Sequence, residues 1–237
     1  MDIQNLFSTN IRINNFDPLD VSAVWPANIE ITICRIPIRK RDGYSKENFK
    51  KIAQKLKSNT VKNGIVFLIC YAPNESKSRP FEVSSIMEEA GFTHIDNIII
   101  EKSWLPGKRS ECNLVNSHEY VLHFCNGDVW KLDRLPIQQY LKLDSDTSCP
   151  GNTWKVETGS LEESYPLDLA ELLIRMTDAL PGSVIFDPYM GTCASLQASV
   201  KLGHSFYGFE TNQSKMKRYK KIIEDHKDIN DGSTNIP

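Results

Sequence analysis

The chain lacks most of the features that would assign it at a glance. Its longest apolar run, Gly64 to Tyr71, is far too short to span a bilayer, so no membrane partner is expected. The N-terminus, Met1-Asp2-Ile3-Gln4-Asn5, has neither the basic region nor the apolar core of a signal peptide, and a cytoplasmic location is the expectation. The six cysteines (Cys34, Cys70, Cys112, Cys125, Cys149 and Cys193) form no C-x-x-C pair and have no nearby His in zinc-ligand order. A disulfide framework and a structural metal site are therefore not expected, and Cys34, Cys70 and Cys125 read as small hydrophobes in strand-like contexts. A net charge of −2 gives no global pull towards nucleic acid, and no internal repeat is present.

What is present is an ordinary globular composition. In 237 residues, 40% are hydrophobic and 24% charged, enough for one good core and hence a single domain over 1–227 with a disordered tail at 228–237. Charge is unevenly placed. Between Arg35 and Lys62 stand ten basic residues against only Asp42 and Glu47. A solvated helix face accounts for the lysines, and a phosphate-facing patch is the sharper alternative.

Strand and helix patterns alternate along the chain. Strands are expected at 29–33, 64–71, 93–100, 120–125, at 184 and at 205–209. Helices are expected at 45–57, 81–90, 166–179, 194–202 and 214–226. Ser45 is a plausible cap, and Phe49, Ile52, Ala53 and Leu56 form an apolar stripe. Residues 126–160 read as irregular. This order predicts an α/β fold, a doubly wound, mostly parallel sheet with helices on both faces.

The chemistry concentrates near the C-terminus. Val184-Ile185-Phe186-Asp187 is an apolar run ending in an acid. Pro188-Tyr189-Met190-Gly191-Thr192-Cys193-Ala194-Ser195 then turns into a helix, and Tyr207-Gly208-Phe209-Glu210 is a second apolar run ending in an acid. Strand, tight turn, helix, strand, acid is how such a sheet builds a nucleoside pocket. Gly191 permits close backbone approach, Thr192 and Ser195 offer hydroxyls, and the Glu210 carboxylate can accept both ribose hydroxyls. One Gly with an Asp at the tip suits a neutral or cationic ligand better than a diphosphate.

Asp187-Pro188-Tyr189-Met190-Gly191-Thr192 resembles the D-P-F-x-G-x-G-T cofactor motif of S-adenosylmethionine-dependent DNA amino-methyltransferases of the permuted β class. These are N6-adenine and N4-cytosine enzymes in which the target-amine motif precedes the cofactor motif. The resemblance covers most of the chain. Lys201 to Glu210 is similar to the family's segment ending in the ribose acid, Pro166-Leu167 to Ile174 to the helix packed on the methionine part, and His118-Glu119-Tyr120 to its H-E-Y strand. It implies a Rossmann-like methyltransferase fold, S-adenosylmethionine as cofactor, and DNA as partner. It also implies target recognition by residues 126–160. A second methyltransferase subunit is expected to share the DNA grip. The cofactor residues it implies are Asp187, Pro188, Tyr189, Gly191, Thr192, Ser195, Glu210, Pro166 and Leu167. Cys193 replaces the second Gly and is expected to narrow the pocket.

The family's catalytic motif, [D/N/S]-P-P-[Y/F/W], departs most. Pro26 to Cys34 aligns with the approaching strand without a gap, but Arg35-Ile36-Pro37-Ile38 follows, and only the second proline survives. The motif's first residue accepts hydrogen bonds from an exocyclic amine whose lone pair is delocalised; Arg35 has donors only. Its charge would oppose the positive charge that develops on the amine, and Ile38 offers no face for a flipped base. Together these losses amount to a rate deficit on the order of a thousandfold or more. Asp42 and Tyr44 lie nearby at the wrong spacing to substitute. Three readings stand open: an active DNA amino-methyltransferase with a divergent motif, a non-catalytic DNA-binding or regulatory subunit of an active one, and a methyltransferase acting on RNA, protein or a small molecule.

Overall fold

The computed structural model describes residues 10–37, 44–72, 76–102, 117–143, 150–156 and 165–230. Eight strands form one sheet: β1 (Ile11–Asn14), β2 (Ile29–Arg35), β3 (Thr60–Cys70), β4 (Thr93–Lys102), β5 (His118–Cys125), β6 (Thr153–Val156), β7 (Val184–Asp187) and β8 (Ser205–Phe209). Six helices accompany them: α1 (Lys46–Asn59), α2 (Arg79–Glu89), α3 (Leu135–Leu141), α4 (Leu167–Arg175), α5 (Ala194–Lys201) and α6 (Gln213–Asn230). The strand order is β1-β8-β7-β2-β3-β5-β4-β6. Every pairing is parallel except those of β5, which runs antiparallel to both β3 and β4.

β3 explains why the sheet is covered twice. Ile65, Phe67 and Ile69 enter the core on one face, while Val66, Leu68 and Cys70 enter the core on the other. Side chains alternate across a strand, so an unbroken apolar run is what a strand buried on both faces requires. Helices α4 and α5 pack on the first face and α1 and α2 on the second. In α1 the Ser45 hydroxyl accepts the Asn48 N–H at 3.1 Å, and Phe49, Ile52, Ala53 and Leu56 are its buried residues, as the stripe predicts.

The structure corrects several expectations. β1, too short to register as a strand in the sequence, pairs with β8 at the sheet edge. Residues 126–160 are not irregular throughout: they carry α3 and the edge strand β6, whose Trp154 and Val156 are buried. Helix α6 continues to Asn230, through the first residues expected to be a disordered tail. Arg35 does not belong to a solvated basic face, being 8% exposed at the end of β2. Lys50 pairs with Glu89, and Lys55 and Lys57 donate to the Pro18 and Gly91 carbonyls. Cys34, Cys70, Cys125 and Cys193 are buried free thiols, while Cys112 and Cys149 lie outside the described residues. Among the described residues no helix is long and apolar enough to cross a membrane.

The chain leaves β2 towards one edge of the sheet and β7 towards the other, with α1 and α5 on opposite faces. The sheet therefore parts above the C-terminal ends of β2 and β7, the place where open α/β sheets hold ligands.

Candidate functional site

A cavity of about 360 Å³ opens at that point. Its walls come from the segments after four neighbouring strands: Phe16 to Leu19 after β1, Arg35 to Pro37 around the end of β2, Pro188 to Thr192 after β7, and Phe209 to Thr211 after β8. Asn48, Tyr165 and Lys215 complete it. The cofactor-like turn and the target-like segment, more than 150 residues apart in the chain, thus face one space.

Asp187 ends β7 and is fully buried. Its Oδ1 accepts the Tyr189 N–H at 2.9 Å, and its Oδ2 accepts the Ser195 hydroxyl at 2.5 Å and the Tyr165 hydroxyl at 3.4 Å. Burial outweighs these three bonds and pushes the carboxyl up to about 7. Neither Asp187 nor Ser195 lines the cavity. The two clamp the turn against the start of α5 and leave Pro188, Tyr189, Met190, Gly191 and Thr192 on the wall. Gly191 sits at φ +54°, in the left-handed region, which is why glycine stands there. Cys193 takes the same region at φ +67°, fully buried. It keeps the backbone a glycine would give and does not line the cavity, so the expected narrowing of the pocket is not found.

Glu210 follows β8 and is held on all sides. Its backbone N–H donates to the Asn14 carbonyl at 3.1 Å, and its own carbonyl accepts from Asn15 Nδ2 at 2.7 Å. Carboxylate Oε1 accepts the Asn212 N–H at 2.8 Å, and Lys215 Nζ lies 3.8 Å from Oε2. Tyr219 of α6, 1% exposed, donates its hydroxyl to the Gly191 carbonyl at 2.6 Å and lies 3.0 Å from Glu210 Oε2. Burial, reinforced by Glu210, raises its phenol well above the ordinary value. One tyrosine thereby joins the glycine turn to the acid.

On the β1 side, Trp25 buttresses the wall. Its ring packs 4.8 Å from Phe186 and 6.0 Å from Phe209, and its Nε1 donates to the Pro18 carbonyl at 3.1 Å. Pro166 caps α4 and Leu167 begins it. Neither lines the cavity; their neighbour Tyr165 does.

The opposite wall is built differently. Arg35 closes β2, and the Ile36 N–H continues the ladder to the Ile69 carbonyl at 3.0 Å. Arg35 Nη2 meets Glu119 Oε1 of β5 at 2.6 Å, with both side chains buried. Among the described residues, Nε and Nη1 of Arg35 are buried and find no acceptor. Ile38 and Asp42 lie outside the described residues. Tyr44 is buried away from the cavity. Its hydroxyl donates to Glu82 Oε1 at 2.5 Å, and the Arg79 guanidinium sits 3.7 Å above its ring. Burial, then Glu82, raises its phenol.

Sequence reasoning missed Tyr165, Lys215 and Tyr219 as site residues and gave Glu119 no role. Tyr219 reads as one apolar position of a basic helix. Only Glu119 had a signal, an acid inside an otherwise apolar strand beside a His and a Tyr.

The fold and the site define a class: a doubly wound α/β protein with a cavity at the point where the sheet parts. The chain belongs to the N6/N4 DNA methylase family, whose model matches residues 39–223. That match begins immediately after Arg35-Ile36-Pro37-Ile38. No curated protein sequence matches the chain. Similar solved structures include the PvuII cytosine-N4-specific DNA methyltransferase, 14% identical over 96% of this chain and 95% of that one, with a TM-score of 0.67. TTHA0409 of Thermus thermophilus, assigned as a DNA modification methylase and complexed with S-adenosyl-L-methionine, is 17% identical over 92% and 94%, with a TM-score of 0.66. The M1.HpyAVI–SAM complex is 16% identical over 84% and 89%, with a TM-score of 0.61. Identities this low establish the fold, which is Rossmann-like as the sequence implied; the sheet, expected to be mostly parallel, is mixed through the antiparallel β5.

Proposed function

We propose that the chain binds S-adenosylmethionine in this cavity and acts on DNA as an amino-methyltransferase-like protein that has lost amine transfer. The cavity suits the cofactor on its own terms. Glu210 presents a fixed carboxylate at the end of β8, Gly191 brings backbone to the wall, and Pro188, Tyr189 and Met190 supply an apolar surface. Asp187 and Ser195 shape that surface from behind, and Pro166 and Leu167 set Tyr165 through the start of α4. The cofactor, when bound, supplies an electrophilic methyl group on a sulfonium.

The observation that carries the loss of transfer is Arg35 fixed by Glu119 in the same cavity as the Gly191 turn and Glu210. An amine attacking the methyl group needs an acceptor for its protons and a setting that tolerates positive charge. Arg35 supplies neither, and the side chains of Ile36 and Pro37 carry no acceptor. Binding and orientation are kept; activation of the nucleophile is not. A non-catalytic DNA-binding or regulatory subunit, working beside an active methyltransferase and using 126–160 for recognition, follows from the same observation.

Incubation of the purified protein with methyl-labelled S-adenosylmethionine and mixed-sequence DNA tests this reading. Retention of cofactor without label in DNA is expected, and label in base amines overturns it. Capture of an active methyltransferase by the tagged chain supports the subunit role.

A further inference from the structure

Arg35 carries more hydrogen-bonding capacity than the chain itself uses. It lines the cavity with Ile36 and Pro37, its side chain is 8% exposed, and Glu119 meets it through a single oxygen on Nη2 at 2.6 Å. Nε and Nη1 are buried without an acceptor among the described residues. A guanidinium is a planar fork of donors with no acceptor of its own, and the fork matches the paired oxygens of a carboxylate or a phosphate. Folded chains leave few buried donors unmet, and beside a cavity a ligand is the natural source of the missing acceptor.

We propose that Arg35, steadied by Glu119, is an oxyanion-binding residue. The wall where the family places an amine acceptor takes carboxylate or phosphate oxygens in this chain. Glu119 is a positioning residue: it fixes the guanidinium through one N–H of Nη2 and leaves the second N–H of Nη2, with the unmet nitrogen beside it, as the fork for the ligand. The inference rests on the reading of the cavity as a ligand site, and two sources can bring oxygens to it. One is the amino-acid carboxylate of the cofactor proposed above; the other is an anionic group belonging to the target.

Calorimetric titration separates the sources. S-Adenosylhomocysteine carries the carboxylate, whereas 5′-methylthioadenosine shares the nucleoside and sulfur but lacks it. The double variant R35Q/E119Q removes both charges and keeps an amide pair in their place. If the cofactor supplies the oxygens, the double variant weakens S-adenosylhomocysteine by ~10- to 100-fold and leaves methylthioadenosine unchanged. If the target supplies them, acetate and inorganic phosphate raise the melting temperature of the wild type and not of the double variant. The single variant E119Q moves the other way in this arm, responding at ~10-fold lower anion concentration because its cation has lost its partner. Equal nucleoside preferences in wild type and double variant, together with no variant-dependent anion response, overturn the proposal. Failure of both nucleosides to bind the wild type sinks the cofactor reading instead. The anion arm, run without nucleoside, then still decides the oxyanion site. Should the double variant not fold, the sign of the E119Q response decides it.

Discussion

The two walls of the cavity handle a buried charge in opposite ways. At the end of β7 an acid is buried, and its carboxylate bonds come from Tyr189 and Ser195 of the turn and helix that it organises and from Tyr165 ahead of α4. At the end of β2 a base is buried, tied to β5 by one bond, with two of its three nitrogens unmet among the described residues. The first arrangement is closed upon itself and gives the wall a fixed shape. The second holds donors in reserve. Polar groups spent internally build a site, and polar groups left over state what the site is for.

Removing Glu119 breaks the comparison most severely. E119A leaves Arg35 as an uncompensated buried charge and is expected to cost about 3–5 kcal/mol in urea denaturation. A loss below about 1 kcal/mol would place Arg35 in solvent and erase the contrast between the walls.

Asp187 allows a test by pH. Its folded carboxyl lies near 7 against an ordinary value of 3.8, because burial disfavours its charge. The native state therefore keeps a proton that the unfolded chain releases. Its contribution to stability is complete below about pH 4 and is lost as pH rises through about 7. D187N removes that dependence while keeping the shape. His123, buried and lowered to about 4, acts in the opposite direction over part of the same range, so the difference between wild type and D187N is the quantity to measure. Parallel stability curves for the two proteins from pH 4 to 8 contradict the buried carboxyl.

On the ligand side, E210Q keeps the fold and halves the acceptor capacity offered to a nucleoside's ribose. A loss of ~10- to 100-fold in S-adenosylhomocysteine affinity is expected, at a cost in protein stability too small to shift the unfolding midpoint by much. An unchanged affinity removes Glu210 from the site.

G208A sharpens the cofactor wall alone. A Cβ at Gly208 would lie 2.5 Å from the Met190 sulfur, and buried Met190 bonds through its backbone to both Phe209 and Cys193. Overpacking of about 1–3 kcal/mol is expected, with weaker nucleoside binding and no change in the Arg35 anion response. Y219F is the mildest. It deletes the hydroxyl that spans the Gly191 carbonyl and Glu210, for about 1 kcal/mol of stability and a small loss of nucleoside affinity by calorimetry.

The amino-acid order by itself determined the α/β class, the helical stripe of α1, the doubly buried strand β3 and the acid-turn-acid pattern at Asp187 to Glu210. Each is a local property: periodicity, a cap, a glycine where φ must be positive. Only the tertiary structure decided that Asp187 and Ser195 face each other rather than the cavity, because side-chain direction at a turn depends on what packs behind it. It alone joined Tyr219 to Gly191 and Glu119 to Arg35, pairs separated by 28 and 84 positions whose meeting follows from sheet order. The edge strands β1 and β6 escaped the sequence because four residues carry too little periodicity, and neighbours in the sheet make them strands.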